Sequence, residues 1–195
     1  ITTAWGLAVT LGIFVAQHFG SAAAHLTPAF TIAFAFDSGD WSQAFLFIIG
    51  QFLGAFLGAT VNWLFHYPHW KVTEDKGLKL AVFATGPAIR HTWSNLFAEV
   101  IGTMILVIGA ISIYADAASG MKPLLVGMLV WVIGLSLGGT TGYAINPARD
   151  FGPRIMHTLL PIKGKGNSDW GYSWVPVIGP IIGGVLAAVI AGFFQ

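Results

Sequence analysis

The amino-acid sequence predicts an all-α membrane protein built from two copies of one helical unit. The first observation is charge: 9% of the 195 residues are charged and 55% are apolar, whereas soluble domains carry roughly 25% charged residues. The second observation is that several charge-free segments are long enough to cross a bilayer. The third is that a short Pro-Ala motif occurs twice, at equivalent places among these segments.

The same composition excludes several classes of protein. Nine Lys and Arg against eight Asp and Glu give a net charge of +1, so the chain lacks the strongly basic character that binds nucleic acid. The sequence contains no Cys, which excludes a disulfide framework, a thiolate metal site and a thiol nucleophile. We therefore expect no nucleic-acid partner and no cofactor.

Five segments are predicted to cross the membrane as full helices. A bilayer core about 30 Å thick needs roughly 20 apolar residues per helix, and the third segment contains only one charge, Glu99. The predicted spans are residues 1–20, 42–66, 95–114, 123–141 and 174–194. Neither a charged leader nor a cleavage site typical of a signal peptide is present at the start, so we expect the chain to begin within a longer protein.

Two further segments are too short to cross. Thr27 and Pro28 are residue types favoured at a helix N-cap and at the first helical position. A helix from Pro28 to Phe36 would be about 13 Å long at 1.5 Å per residue. This is about half of a bilayer, so a re-entrant half-helix is predicted. Residues 139–149 repeat the arrangement, with Asn146 as the cap.

The half-helices mark two copies of a unit that reads span, span, half-helix, span. Thr27 and Asn146 are 119 positions apart. We predict a single domain over residues 1–195, with a partial first copy over 1–66, a connecting loop over 67–93 and a second copy over 94–195. Three spans per unit give the copies opposite orientations, as in many membrane transport proteins. The first copy has one span fewer, so a further helix is expected upstream, with an acidic equivalent of Glu99.

The motifs at the half-helices resemble those of a known family. The first box consists of Thr27, Pro28 and Ala29 and the second of Asn146, Pro147 and Ala148. With their flanks, they resemble the paired boxes of the major intrinsic proteins, the aquaporins and glycerol facilitators, and the resemblance extends over essentially the whole chain. Thr27 stands where the family usually has Asn, but Thr is also a competent cap. The resemblance implies an aquaporin-like fold with two re-entrant half-helices.

Residues after the second box resemble the glycerol-conducting branch of the family, the aquaglyceroporins. Asp150 and Arg154 are typical of that branch, and so is the pair Pro176 and Val177 in the last span. The resemblance implies a passive channel in the cell membrane, surrounded by the lipid bilayer and assembled as a homotetramer. The expected solutes are glycerol first and water second, with ions and protons excluded.

The resemblance also implies where solutes are selected. The narrowest point is expected to consist of Trp5, Gly134, Tyr143 and Arg149. Aromatic rings facing a guanidinium suit a polyol, whose carbon edge packs on the rings while its hydroxyls accept hydrogen bonds. Gly134 is expected to leave room, and Tyr143 stands where glycerol facilitators usually have Phe. The Tyr143 hydroxyl would favour solutes with a second polar group, such as dihydroxyacetone or an undissociated small hydroxy acid.

Backbone carbonyls before each half-helix are expected to line the path. Non-helical backbone inside a bilayer is tolerated only where it is buried or lines water. The predicted acceptors are the carbonyls of Ala23, Ala24 and His25 and of Gly142, Tyr143 and Ala144. The N-termini of helices carry partial positive charge, and aquaporin-type pores exclude cations and protons by this means.

Other titratable residues have structural roles in this prediction. By the resemblance, Glu99 is buried behind the second half-helix and accepts hydrogen bonds from backbone N–H groups. His66 and His69 are predicted to be loop histidines and not metal ligands, because Pro68 breaks any helical face and no HExxH pattern occurs. His25 is expected to contribute its backbone, and pH sensing by its ring is the alternative.

Two other classes of membrane protein remain as alternatives. An ion-coupled secondary transporter of a small polar solute also uses inverted repeats and broken helices, but it needs carboxylates at the midplane, and only Glu99 and Asp150 are candidates. An intramembrane hydrolase needs a positioned nucleophile with a base, and no Ser has a neighbouring His and acid in a recognisable order. We therefore predict a channel without enzymatic activity.

Overall fold

The computed structural model describes residues 1–194. Within this range the chain forms nine α-helices, a 3₁₀ turn at Ser119–Met121 and no β-strand. The helices are α1 (Thr2–His18), α2 (Pro28–Ser38), α3 (Ala44–Phe65), α4 (His69–Val72), α5 (Lys76–Ala81), α6 (Thr92–Asp116), α7 (Lys122–Thr141), α8 (Pro147–Leu159) and α9 (Val175–Gly192). The prediction of an all-α protein is confirmed.

Helix lengths separate spanning helices from half-helices. The helices α3, α6, α7 and α9 are long and apolar enough to cross a membrane, which confirms the prediction of a multi-pass membrane protein. The 17 residues of α1 are at the lower limit for a spanning helix. The helices α2 and α8 have 11 and 13 residues. They are about 17 and 20 Å long, so neither crosses the bilayer.

Each half-helix begins at a side-chain cap followed by proline. Thr27 Oγ1 accepts from the N–H of Ala29 at 3.3 Å, and Asn146 Oδ1 accepts from the N–H groups of Ala148 at 3.0 Å and Arg149 at 3.2 Å. The proline after each cap loses nothing, because its missing N–H has no partner in the first helical turn. Because Asn146 accepts from two N–H groups and Thr27 from one, the Asn cap is the stronger of the two.

The backbone that leads to each cap is left-handed. The angle φ is +47° at Ala24 and +39° at Tyr143, which are 119 positions apart, and it is +42° at Ile145. A residue with a β-carbon loses roughly 1–2 kcal/mol in this conformation. These segments therefore need support from the helices around them.

The connecting segment, predicted as a loop, contains the short helices α4 and α5. Trp70 on α4 is buried and donates its Nε1–H to the carbonyl of Trp63 on α3 at 2.9 Å. The Trp70 ring also stacks on Phe83, with ring centroids 5.8 Å apart. The connection therefore folds back onto α3 and anchors the backbone near Phe83 beside α8.

The half-helices are exchanged between the two halves of the chain. The helix α6 packs on α9 and α1 packs on α7, whereas α2 packs against α9 and α8 packs against α3. Glycine permits the α2–α9 contact, since a β-carbon at Gly184 would lie 2.7 Å from the carbonyl oxygen of Ala29. Each half-helix is thus supported by a spanning helix from the other half.

Candidate solute pore

A cavity of about 100 Å³ lies between α1, α6, α7 and the segments that lead to the half-helices. Its wall includes nine of the sequence-predicted site residues. They are Trp5, Ala23, Ala24, His25, Thr27, Tyr143, Ala144, Asn146 and Arg149. The rest of the wall is mainly apolar, so a few polar groups face a narrow apolar passage.

The remaining residues of the two boxes are structural in position. Pro28, Ala29, Pro147 and Ala148 are buried in the first turns of α2 and α8. Ala29 has no exposed surface and lies against the backbone of α9 at Gly184. These residues set the direction of the half-helices, whereas the caps themselves reach the cavity.

Asn146 joins the two half-helices at their N-termini. Its Nδ2 donates to the carbonyl oxygen of Leu26, the residue before the Thr27 cap, at 2.8 Å. Its Oδ1 is used by the first N–H groups of α8. The Asn146 amide thus keeps one further N–H for a solute in the cavity.

The carbonyl of His25 is held from α3. Gln51 Nε2 donates to this carbonyl at 2.8 Å and to Thr31 Oγ1 at 2.9 Å. The His25 ring packs against Phe47, with ring centroids 5.1 Å apart. A second cavity of about 140 Å³ shares His25 with the first and is lined by both polar and apolar residues, among them Asp40. His25 therefore stands between the two cavities, and Gln51 is a site residue that the sequence analysis missed.

Arg149 and Trp5 are in direct contact. The guanidinium carbon of Arg149 lies 4.2 Å from the centroid of the Trp5 ring, which is a cation–π contact. Arg149 Nη1 also donates to the carbonyl oxygen of Phe83 at 3.2 Å. The ring and the guanidinium are predicted to face a solute, and in this structure they face each other as well.

The ring of Tyr143 occupies the space that two glycines leave on α7. A β-carbon at Gly134 would lie 2.8 Å from Tyr143 Cζ, and one at Gly138 would lie 2.6 Å from Tyr143 Cδ1. The Tyr143 hydroxyl is buried and has no hydrogen-bond partner among residues 1–194. Gly134 is absent from the cavity wall in the described chain. The Tyr143 ring takes the room beside Gly134 in this structure, and the role of Gly134 in solute selection stays a prediction.

Glu99 supports the left-handed segment before α8. Its side chain is 1% exposed, and its two oxygens accept from the N–H groups of Ala144 at 2.9 Å and Ile145 at 2.8 Å. Gly142, the third predicted acceptor residue of this segment, ends α7 with φ +78° and does not reach the cavity wall in the described chain. The carboxylate thus fixes the direction of the neighbouring carbonyls.

Asp150 and Arg154 form a buried ion pair on α8. Arg154 Nη2 and Asp150 Oδ1 are 2.8 Å apart, and neither side chain has exposed surface. The rings of His66 and His69 are 5.7 Å apart. Within residues 1–194, no group of three or more His, Cys, Asp or Glu could hold a metal ion.

Known proteins are similar to this chain in sequence and in fold. A sequence model of the family described as Major intrinsic protein matches residues 1–191. The chain is 57% identical over 190 residues to the probable glycerol uptake facilitator protein of Thermotoga maritima, covering 96% of this chain and 80% of that protein. It is 53% identical over 188 residues to the glycerol uptake facilitator protein of Bacillus subtilis, covering 95% of this chain and 68% of that protein.

A solved structure gives the same result for the fold. The aquaglyceroporin from Plasmodium falciparum aligns with a TM-score of 0.81 and 28% sequence identity, covering 97% of this chain and 79% of that chain. The resemblance indicated by the two boxes is therefore confirmed. The family match over nearly the whole chain and relatives of more than half identity show that the chain belongs to the major intrinsic protein family.

Proposed function

We propose that this chain is a passive channel of the cell membrane that conducts glycerol and other small neutral solutes, with water. The observation that carries the proposal is the narrow cavity at the N-termini of two half-helices, with Arg149 on an otherwise mainly apolar wall. A polyol matches this wall, because its hydroxyls accept from Arg149 and Asn146 while its carbons pack on Trp5. The relatives named as glycerol uptake facilitators support the same solute class.

The same geometry disfavours cations. Each helix N-terminus is equivalent to about half a positive charge, and Asn146 holds the two N-termini together. The guanidinium of Arg149 adds a full positive charge at the cavity wall. A cation or proton would therefore meet repulsion at the N-termini of the half-helices and at Arg149, whereas a neutral solute would not.

A transport assay in proteoliposomes tests the proposal. We expect glycerol flux to rise linearly with the glycerol gradient, to be unaffected by proton or sodium gradients, and to exceed the flux of a sugar. Stopped-flow light scattering measures the swelling that follows glycerol or sugar entry. Accumulation of glycerol against its gradient would refute the channel and favour the ion-coupled transporter.

The two candidate carboxylates for ion coupling are already engaged. Glu99 receives two backbone N–H groups, and Asp150 is paired with Arg154. Neither carboxylate forms part of the cavity wall. Among the described residues, the cavity wall therefore offers no carboxylate for the ion-coupled transporter. We also propose that the chain has no enzymatic activity.

We propose that residues 1–66 and 94–195 are the two copies of the unit, with 67–93 as the connection, since their caps and left-handed residues have the same offset. We propose a homotetramer in the lipid bilayer. The exposed apolar side chains of α3, such as Leu53, Leu57 and Val61, suit contact with lipid or with another subunit.

Tyr143 is the residue that we expect to influence which solutes other than glycerol pass. The Tyr143 hydroxyl is buried beside Gly134 and unpartnered among the described residues, and we propose that the ring turns it into the passage, where it bonds dihydroxyacetone or an undissociated small hydroxy acid. Tyr143→Phe should raise the ratio of glycerol flux to hydroxy-acid flux about threefold, because the lost hydroxyl is a net hydrogen bond of about 0.5–1.5 kcal/mol. The ratio is measured at a pH low enough to keep the acid neutral. An unchanged ratio in a well-folded variant would show that the hydroxyl does not meet the solute.

A further inference from the structure

We propose that Thr85, Asp150 and Arg154 form a clamp that positions the guanidinium of Arg149 and so helps to determine which solutes pass. The inference rests on the proposed role of Arg149 in solute selection. It assigns a positioning function to a buried polar cluster that does not itself line the cavity.

The clamp is a closed set of short hydrogen bonds. Asp150 Oδ2 accepts from the backbone N–H of Thr85 at 2.7 Å and from its hydroxyl at 2.6 Å. Arg154 donates to Asp150 Oδ1 through Nε at 2.9 Å, and to the carbonyl of Thr85 through Nη2 at 2.8 Å. Both polar groups of the Thr85 backbone and its side chain are thus bound by α8.

Arg154 fixes a second segment at the same time. Its Nη1 donates to the carbonyls of Ser168 at 2.8 Å and Asp169 at 3.2 Å. The guanidinium is therefore bonded on every side, and the side chain has no exposed surface. Such a fully satisfied buried network is rigid, because each member loses its partner if another moves.

The clamp reaches Arg149 through the backbone of Phe83. Arg149 Nη1 donates to the Phe83 carbonyl at 3.2 Å, and Phe83 is two residues before Thr85. Phe83 itself is 2% exposed and stacked on Trp70. The acceptor for Arg149 is thus held by the ring on one side and by the clamp on the other.

Positioning matters because two contacts together hold the Arg149 guanidinium. Its guanidinium lies over the Trp5 ring and is bonded to the Phe83 carbonyl. If the carbonyl moves, the guanidinium loses its directional bond and only the less directional ring contact remains. The width of the passage at Trp5 and Arg149 therefore depends on how firmly α8 holds Thr85.

Thr85→Val tests the clamp with little change in volume. It removes the hydroxyl bond to Asp150 and leaves the backbone bonds. We expect the ratio of erythritol flux to glycerol flux to rise about threefold, because a loosened Arg149 no longer rejects the longer polyol. Thr85→Ser, which keeps the hydroxyl, should retain the parent ratio. If Thr85→Val does not fold, Thr85→Ala removes the hydroxyl without adding a methyl and should give the same increase.

Thr158→Val is the matched control. Thr158 is also on α8 and bonds to the Arg154 carbonyl at 3.1 Å and to Ser168 Oγ at 2.8 Å, but among the described residues it makes no direct hydrogen bond to Thr85 or Phe83. Thr158→Val should lower the erythritol flux and the glycerol flux only in proportion to any loss of folded protein. An equal rise in the ratio for Thr158→Val and Thr85→Val would overturn the clamp, because the effect would then reflect general destabilisation.

A double variant tests whether the clamp acts through Arg149. In an Arg149→Ala background, Thr85→Val should cause no further change in the ratio, since the residue through which the clamp acts is gone. An equal increase in both backgrounds would overturn the proposal. If Arg149→Ala alone leaves the parent ratio, the filter role of Arg149 fails. If it changes the ratio while Thr85→Val does not, only the clamp fails.

Discussion

Replacing Glu99 with glutamine should lower the free energy of unfolding by about 3 kcal/mol and abolish most glycerol flux. A carboxylate presents an acceptor to each of two N–H groups, those of Ala144 and Ile145. Glutamine presents one acceptor and one NH₂ group, so one buried N–H then faces another donor. Each buried group left unsatisfied costs about 1–3 kcal/mol, and the relief of burying one charge fewer offsets part of this.

The loss of flux should follow from the backbone that Glu99 holds. Tyr143 and Ile145 are left-handed, a conformation that residues with a β-carbon do not keep without support. When the support is removed, the carbonyls of this segment turn and Asn146 leaves its place. Flux should then fall more than the amount of folded protein does.

Thermal unfolding in detergent measures the effect on stability. We expect Glu99→Gln to lower the midpoint by roughly 5–10 °C. Thr103→Val is the control, because Thr103 lies on the same helix, is fully buried and has an unpartnered hydroxyl in the described chain. It should unfold at or above the temperature of the parent. Equal midpoints for Glu99→Gln and the parent would refute the structural role of the acid.

Replacing Arg149 with alanine should remove selection by size and by charge together. The side chain contributes the guanidinium over Trp5 and the donor to Phe83, and both contacts disappear. The passage should widen, so that the ratio of erythritol flux to glycerol flux rises about tenfold. The positive charge at the wall is also lost, so a cation leak should appear in a liposome assay with a potassium-sensitive dye.

Arg149→Lys separates charge from shape. Lysine keeps the positive charge but has no planar fork to bond a carbonyl and lie over a ring together. We expect this variant to retain cation exclusion and to lose part of the discrimination between polyols. If Arg149→Ala still excludes both erythritol and potassium, selection takes place elsewhere along the passage.

The spanning helices and the two caps were predictable because their signals are local. Charge-free length identifies a spanning segment, and a cap followed by proline identifies a helix start. The helix α2 extends two residues beyond the predicted Phe36, to Ser38. The short helices α4 and α5 carry no such signal, since helices of this length depend on tertiary contacts.

The polar cluster behind the pore was only partly predictable. Asp150 and Arg154 are predicted only as markers of the glycerol-conducting branch, although they lie four positions apart, a spacing at which opposite charges can pair on one helix face. Thr85 lies 65 positions away from Asp150, and no sequence pattern connects them. At Gly134 the sequence indicates that space is needed, because the residue is a glycine. It does not indicate that the Tyr143 ring fills this space.

The exchange of half-helices has a consequence for biosynthesis. The helix α2 packs against α9, which the ribosome produces after every other helix described here. Until then, α2 has only its smaller contacts, chiefly with α3, so this short helix with a polar cap must wait at the interface or inside the insertion machinery. The helix α8, in contrast, meets α3 when α3 is already in place. We therefore expect α8 to pack on α3 as soon as α8 is synthesised, and α2 to reach its final position only after α9 has been inserted.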